Sequence, residues 1–277
     1  MKALESLCGQ SICRWECMVV DDASTDQVTL DVLKSIADPR VRVVHHAVNR
    51  GLAASRNTGI GNSSAPVIFP LDCDDELPAD AVVNVISAFA ARPDVDLFYP
   101  DYERFGEENE VVVTPEMDFP RMVQRHFPLA TSPFRRVAWE KVGGLCEDEI
   151  IRLGMEDVEF HYALLESGAA FAHLPKVIYR YRTTPHSLSD RMQLHNYRIR
   201  RFIADRHRSL LQGYLRQEFL QMGAIRSYRV SLASGNKQSM ISNLVNIIRH
   251  SLWSPRMWWR AAWNIYQPLK RVPEGHV

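Results

Sequence analysis

The sequence predicts an α/β domain with a largely parallel sheet over residues 1–190, followed over residues 191–277 by a basic helical extension. Three observations carry this. Short apolar runs alternate with helical patterns through the first two thirds of the chain, and acidic clusters stand directly after two of those runs. Beyond about Asp190 the strand signal fades and the charge turns positive: residues 200–277 hold 13 Lys and Arg against 3 Asp and Glu, whereas residues 1–199 hold 20 against 30.

The first apolar run, CMVV (17–20), predicts a strand that ends in the acidic stretch DDASTD. Gln27 to Ile36 follows with helical spacing and stops at Asp38-Pro39, since a proline pushes the residue before it into extended conformations. VRVVHH (41–46) predicts the second strand, Leu52 to Gly61 a helix, and PVIFPL (66–71) the third strand. Pro78 has the fixed φ of a first helical position, with Asp80 in the first turn facing the positive end of the helix dipole. DLFYP (96–100) predicts a fourth strand and FGEENEVVV (105–113) a hairpin.

In the extension, MISNLVNIIRHSLW places Met240, Ile241, Leu244, Val245, Ile248 and Leu252 on one helical face. Ser254-Pro255 reads as the N-cap and first position of a second helix, PRMWWRAAWNIY. That helix interleaves Trp258, Trp259 and Trp263 with Arg256 and Arg260, and Lys270 and Arg271 follow; tryptophan with arginine suits a membrane interface. An anionic membrane surface is therefore an expected partner. The other reading packs Trp253, Trp258 and Trp263 against the domain. No nucleic-acid motif accompanies the basic stretch, so nucleic acid is not an expected partner.

At 277 residues and 46% hydrophobic content the chain can bury a full core. Five cysteines without an apolar leader imply reduced thiols in the cytosol, and Cys8, Cys13 and Cys17 lack the paired spacing of a zinc site. No stretch reaches the ~18 uninterrupted apolar residues of a membrane span.

LDCDDELP (71–78) gathers Asp72, Asp74, Asp75 and Glu76 into five positions. Two carboxylates ~6 Å apart repel by roughly 2–3 kcal/mol at an effective dielectric of about 20. The carboxyl ends of strands in open α/β sheets face the ligand crevice, and a divalent cation there would relieve the repulsion, because Mg²⁺ and Mn²⁺ prefer carboxylate oxygens. A solvated acidic loop, with Asp75 or Glu76 capping the next helix, fits the octapeptide equally. An EF-hand does not, since Leu77 and Val83 stand where it needs glycine and glutamate. A phosphatase of the haloacid dehalogenase type is weakened by Glu76 in place of Thr or Val.

Other stretches decide between these. VVDDASTD (19–26), NRGLAASRNTGI (49–60), LDCDD (71–75) and GGLCEDEIIRLGMEDVEFHYALLESG (143–168) follow one another in order. Together they resemble the family 2 glycosyltransferases of GT-A fold, whose pattern runs VVDDxSxD, RGxxxxRN, LDxDD, GG(F/L)xE and ED. The match covers roughly residues 1–190.

The resemblance implies that Asp72 and Asp74, with Asp75 beside them, hold a sugar-nucleotide diphosphate through Mn²⁺ or Mg²⁺. Asp22 matches the carboxylate that receives N3–H of uracil or thymine, a role that rejects cytosine because its N3 carries no proton. Left to itself, Asp22 also suits an Asx-turn in DDAS. Arg56 matches the nucleotide or phosphate contact, while Arg50 reads as a surface charge. Asp157 matches the base of inverting members, with Glu156 beside it to raise its pKa; acids at a helix start are also favoured by the dipole alone. YRYRTTPHSLSDR (179–191) resembles the loop that closes over the donor, often R-x-H-x-x-S. Thr184 stands in its histidine position, His186 reads as a displaced solvent histidine, and Arg180 and Arg182 become the phosphate candidates.

One element of the family pattern is missing. Its usual first strand, ending in P-x-Y-N between the strands that end in VVDD and LDCDD, has no match, and MKALESL resembles the helix after it. An upstream start or a truncated product is the expectation, and with truncation comes the alternative of a catalytically impaired, membrane-peripheral binding protein. Otherwise the expected activity is metal-dependent transfer of a sugar from a UDP- or dTDP-sugar to a glycan or lipid-linked acceptor at the cytoplasmic face of the membrane.

Overall fold

The computed structural model describes residues 2–184, 192–252 and 254–266. The chain forms two compact units. The first comprises residues 1–117, 127–148 and 156–183; the second gathers 118–126, 149–155 and 184–277.

In the first unit β1 (Cys17–Asp21) and β2 (Val41–His45) pair in parallel, with α1 (Lys2–Cys8) before them and α2 (Gln27–Lys34) between them. A second sheet holds β3 (Val67–Ile68), β6 (Phe134–Arg135), β4 (Leu97–Gly106) and β5 (Glu110–Val112) in that order, all antiparallel, and β7 (Phe171–Thr183) lies parallel to β4. Four helices complete the unit: α3 (Leu52–Asn62), α4 (Ala81–Ala91), α6 (Arg136–Val142) and α7 (Glu156–Glu166). Among the described residues β1 pairs only with β2 and β3 only with β6, so the two strands that lead into acidic clusters stand in separate sheets. The resemblance expects a further strand between them.

The expected strands and helices are present with shifted ends. The third strand shrinks to two residues because Pro66 and Pro70 flank it, and proline cannot donate to a ladder. The fourth grows to Gly106 because Tyr102, Glu103 and Arg104 pair with β5 on one side and β7 on the other, forming the expected hairpin. The helix expected from Pro78 begins at Ala81, with Asp80 at the N-cap position rather than in the first turn. Gln10 sets that start: its amide donates to the Pro78 carbonyl and its oxygen accepts the otherwise orphaned Val82 N–H.

Two apolar clusters hold the unit. One surrounds Leu77, Val85, Phe89, Phe98, Ile178 and Tyr179; the other surrounds Leu97, Tyr99, Phe134, Phe160 and Leu164. Phe160 and Leu164 bring one face of α7 into the second cluster.

Asn57 on α3 holds the Gly143-Gly144 turn. Its Oδ1 accepts from Trp139 Nε1 and the Leu145 N–H, both at 2.9 Å, while its Nδ2 donates to the Leu145 carbonyl and to Glu147. Gly144 has φ +90°, and a Cβ there would stand 2.9 Å from Asn57 Oδ1. The RN and GG stretches, 80-odd residues apart, are therefore two halves of one clamp.

In the second unit α5 (Phe119–Gln124) joins α8 (Asn196–Arg206), α9 (Gly213–Ala233), α10 (Lys237–Ser251) and α11 (Pro255–Tyr266). One apolar cluster holds Ala224, Ile225, Ile247 and Ala261, with Tyr197 and Tyr228 packed against it, and Ile199, Ile203, Phe219 and Leu220 are buried as well. Polar groups are buried among them. Arg200 is buried over the Phe219 ring and donates to Asn196 Oδ1, and fully buried Glu218 meets Arg260 and Gln124. Trp258, Trp259 and Trp263 are exposed, which overturns the packed reading for Trp258 and Trp263; Trp253, Lys270 and Arg271 lie outside the described residues. No helix among the described residues is long and apolar enough to cross a membrane, and all five cysteines are free.

Replacing Asn57 with Ala leaves four hydrogen-bonding groups of the clamp without it, and a loss of about 2–4 kcal/mol is expected, read from the urea midpoint with the slope unchanged.

Candidate active site

Four segments of the first unit bring the chemistry together: the end of β1, the start of α3, the loop after β3 and the start of α7. Arg56 joins three of them. Its Nη2 is 2.9 Å from Asp72 Oδ1 and its Nη1 is 2.7 Å from Glu156 Oε1, with the guanidinium nearly enclosed. Burial alone would lower the Arg56 pKa, but Asp72, Glu156 and Asp157 together raise it above the usual arginine range. Arg56 is thus a bridge between carboxylates rather than the open phosphate contact the resemblance implied.

Glu156 and Asp157 open α7. Burial first, then the charge of Asp157, pushes the Glu156 carboxyl up to about 7, and burial raises Asp157 as well. Both retain protons to higher pH than solvated acids, the condition under which a carboxylate becomes a useful base.

Asp22 holds the entry to α3. Its Oδ1 accepts from the Arg50 N–H at 2.8 Å and meets His46 Nδ1 at 2.7 Å; its Oδ2 accepts from the Gly51 N–H at 2.7 Å. Gly51 sits at φ +90°, a region that favours glycine. His46 Nε2 continues to Thr58 Oγ1 at 2.9 Å. Burial raises the Asp22 pKa, but these hydrogen bonds outweigh it and leave the group lowered. Among the described residues two non-glycine residues have positive φ, Ala23 just after Asp22 and Met155 just before Glu156, and such strained positions collect at functional sites.

The Asp72–Glu76 loop is fastened to β7. Glu76 and Arg180 exchange backbone hydrogen bonds at 3.1 and 2.9 Å. Arg180 and Arg182 both pair with the Glu76 carboxylate, their guanidinium groups lie 4.7 and 4.3 Å from the Phe105 ring centre, and Arg182 Nε donates to the Asp74 carbonyl. Both arginines therefore anchor the acidic loop.

Asp75 is placed differently from its acidic neighbours. It is 1% exposed, with Oδ2 accepting from Tyr179 Oη at 2.8 Å and Oδ1 from the Arg182 N–H at 2.7 Å. Burial pushes it up to about 7, with Asp74 and Asp72 adding to the rise. A buried carboxyl spent on two internal donors does not suit a metal ligand. Asp74 is exposed and Asp72 half-buried. Among the described residues no three His, Cys, Asp or Glu side chains converge as a metal cage. Two carboxylates do suit Mg²⁺ or Mn²⁺ that takes its other oxygens from phosphate and water, so Asp72 and Asp74 fit the expected ion. His186 and Ser187 lie outside the described residues.

The sequence profile described as Glycosyl transferase family 2 matches residues 2–139. This chain belongs to that family. The family 2 chain is 30% identical over 210 residues to the succinoglycan biosynthesis protein ExoO of Rhizobium meliloti, covering 70% of this chain and 60% of that protein. It spans only 21% and 14% of two other, longer relatives. Among solved structures it resembles S. aureus TarS 1–349 in complex with UDP-GlcNAc, with TM-score 0.65, 18% identity and coverage of 95% of this chain and 83% of that one. The mannosyltransferase PcManGT from Pyrobaculum calidifontis, in complex with GDP-Man and Mn²⁺, gives TM-score 0.55, 19% identity and coverage of 95% and 79%. At these identities the likeness is one of fold, and that fold is GT-A.

In this family 2 chain the motifs did not point to His46, Asn57 and Tyr179. Tyr179 donates to Asp75 and accepts from the Asp72 N–H at 3.1 Å. One signal was available: in YRYR, strand alternation puts the tyrosines on one face and the arginines on the other.

The Asp75 carboxyl generates a pH test. An unfolded aspartate ionises near ~3.9, so between about pH 4 and 7 the unfolded chain has lost a proton that the folded chain keeps. The stability from this group is complete below ~4 and declines as pH rises to about 7. The difference in unfolding free energy, native minus Asp75→Asn, is expected to fall by roughly 2–4 kcal/mol across that window in parallel urea titrations.

Proposed function

We propose that this chain transfers a sugar from a UDP- or dTDP-activated donor to a hydroxyl of a glycan or lipid-linked acceptor, with inversion at the anomeric carbon. The observation that carries the reading is the Asp72–Arg56–Glu156 bridge. It couples the loop suited to a diphosphate to the helix start that holds two carboxyls of raised pKa. Family membership supports sugar transfer, and a fold neighbour solved with UDP-GlcNAc supports the donor class.

In this reading Asp157 takes the proton from the acceptor hydroxyl as that oxygen attacks the anomeric carbon. Burial keeps the Asp157 pKa raised, and Arg56 holds Glu156 in place beside it. Asp22 is already oriented by two backbone N–H groups and His46, and it receives the donor base N3–H on the remaining lone pair of Oδ2. Asp72 and Asp74 would hold Mn²⁺ or Mg²⁺, supported by the Mn²⁺ of a fold neighbour. When bound, that ion supplies Lewis-acid stabilisation of charge on the departing diphosphate.

The likeness to the succinoglycan biosynthesis protein ExoO supports a place in surface polysaccharide assembly, which we assign to the cytoplasmic face of the membrane. A second reading, an impaired membrane-peripheral binding protein, is favoured by the separation of β1 and β3 into different sheets.

Donor hydrolysis and transfer with Mn²⁺ separate the two. Asp157→Asn is expected to lower turnover by about 10²–10⁴-fold, and Asp74→Ala to remove the response to Mn²⁺ titration. Glu156→Gln should move the acid limb of the pH–rate profile to lower pH, because the Arg56 charge, which already lowers Asp157, loses one of its carboxylate partners. Turnover unchanged in all three variants overturns the mechanism, and no turnover in the native chain selects the second reading.

A further inference from the structure

The helix α10 is packed inside out. Its fully buried residues are Asn243, His250 and Ser251 with Ile247, while Met240 and Leu244 are half-buried. These polar groups are engaged: Asn243 Nδ2 donates to Ser239 Oγ at 3.2 Å, His250 meets Gln217 at 2.6 Å and Tyr197 Oη at 3.1 Å, and Ser251 Oγ accepts from Gln221 at 2.7 Å. Ile241, Val245, Ile248 and Leu252, spaced to share one face, are turned outward, and three of them are more than half exposed.

The next helix also turns large apolar groups outward. Met257 and Ala261 of α11 are buried, while Trp259 and Trp263, one turn apart, expose 77% and 67% of their surface with Arg256 on the same side. Two successive helices that present aliphatic and indole groups outward leave that face short of an occupant.

Charge says which occupant. From residue 219 to residue 273 the chain carries eight Lys and Arg and not one Asp or Glu. A protein partner would have to supply an apolar acidic surface; an anionic bilayer supplies both properties at once, and tryptophan with arginine settles at the headgroup level. We infer that the outward face of α10 and α11 is a docking surface for an anionic lipid bilayer, with Ile241, Val245, Ile248, Leu252, Trp259 and Trp263 entering the acyl boundary and Arg249 and Arg256 meeting headgroups. This rests on the reading of the chain as an enzyme acting at a membrane, and it adds which face makes the contact.

Co-sedimentation of the full chain with vesicles tests it. Vesicles of equal parts phosphatidylcholine and phosphatidylglycerol should pellet the protein, phosphatidylcholine vesicles far less, and added salt should release it. Trp259→Ser with Trp263→Ser, and separately Val245→Gln with Leu252→Gln, should each weaken binding by at least about tenfold, with the helical circular dichroism unchanged. Donor hydrolysis without vesicles should be unaltered in all these variants, so a failed catalytic reading and a failed docking face are told apart. A full chain that stays in the supernatant with anionic vesicles overturns the inference. So does self-association by sedimentation that the same substitutions abolish, which would give the face to a second copy.

Discussion

One guanidinium holds the candidate site together. Arg56 leaves water to stand between Asp72 and Glu156, and the cost of enclosing it is offset only because carboxylates surround it. Pairs of this kind add little net stability over an apolar substitute, yet breaking one costs about 3–5 kcal/mol, so they fix geometry more than they strengthen a fold. Here the geometry fixed is that of three elements, α3, the loop after β3 and the start of α7. Everything the site can do follows from their being tied to one side chain.

What could be read from the sequence was local. Asp22, Asp72, Asp74 and Asp157 stand next to strand ends or a helix start, and their neighbours announce them. His46, Asn57, Tyr179 and Gln10 could not be read so, because each acts through a partner brought to it by the fold; Tyr179 reaches a residue 104 positions away. For the same reason Arg56, Arg180 and Arg182 were legible as cations near acids but not as anchors for acids. Asp75 looked identical to Asp74, and only the depth of the loop against β7 separates one buried carboxyl from one exposed.

The second unit shows a different limit. Hydrophobic periodicity found the stripe on α10 correctly, but a stripe has no sign: it says that apolar residues share a face, not which face meets the core. Asn196, Arg200, Glu218 and Gln221 are buried where a helical unit ordinarily places leucines. Burial together with Arg249 and Arg216 pushes His250 down to about 4, so that imidazole enters the interior uncharged.

The fastening of residues 72–76 to β7 bears on tempo. With Glu76 laddered to Arg180 and the Asp75 carboxyl spent on Tyr179 and the Arg182 N–H, this segment lacks a hinge of its own. Asp74 can still swing about its χ angles, a motion of picoseconds to nanoseconds in an exposed side chain, whereas loop opening belongs to slower regimes. Recognition at this rim is therefore preset during folding, and any slow step in a working cycle has to be sought elsewhere in the chain.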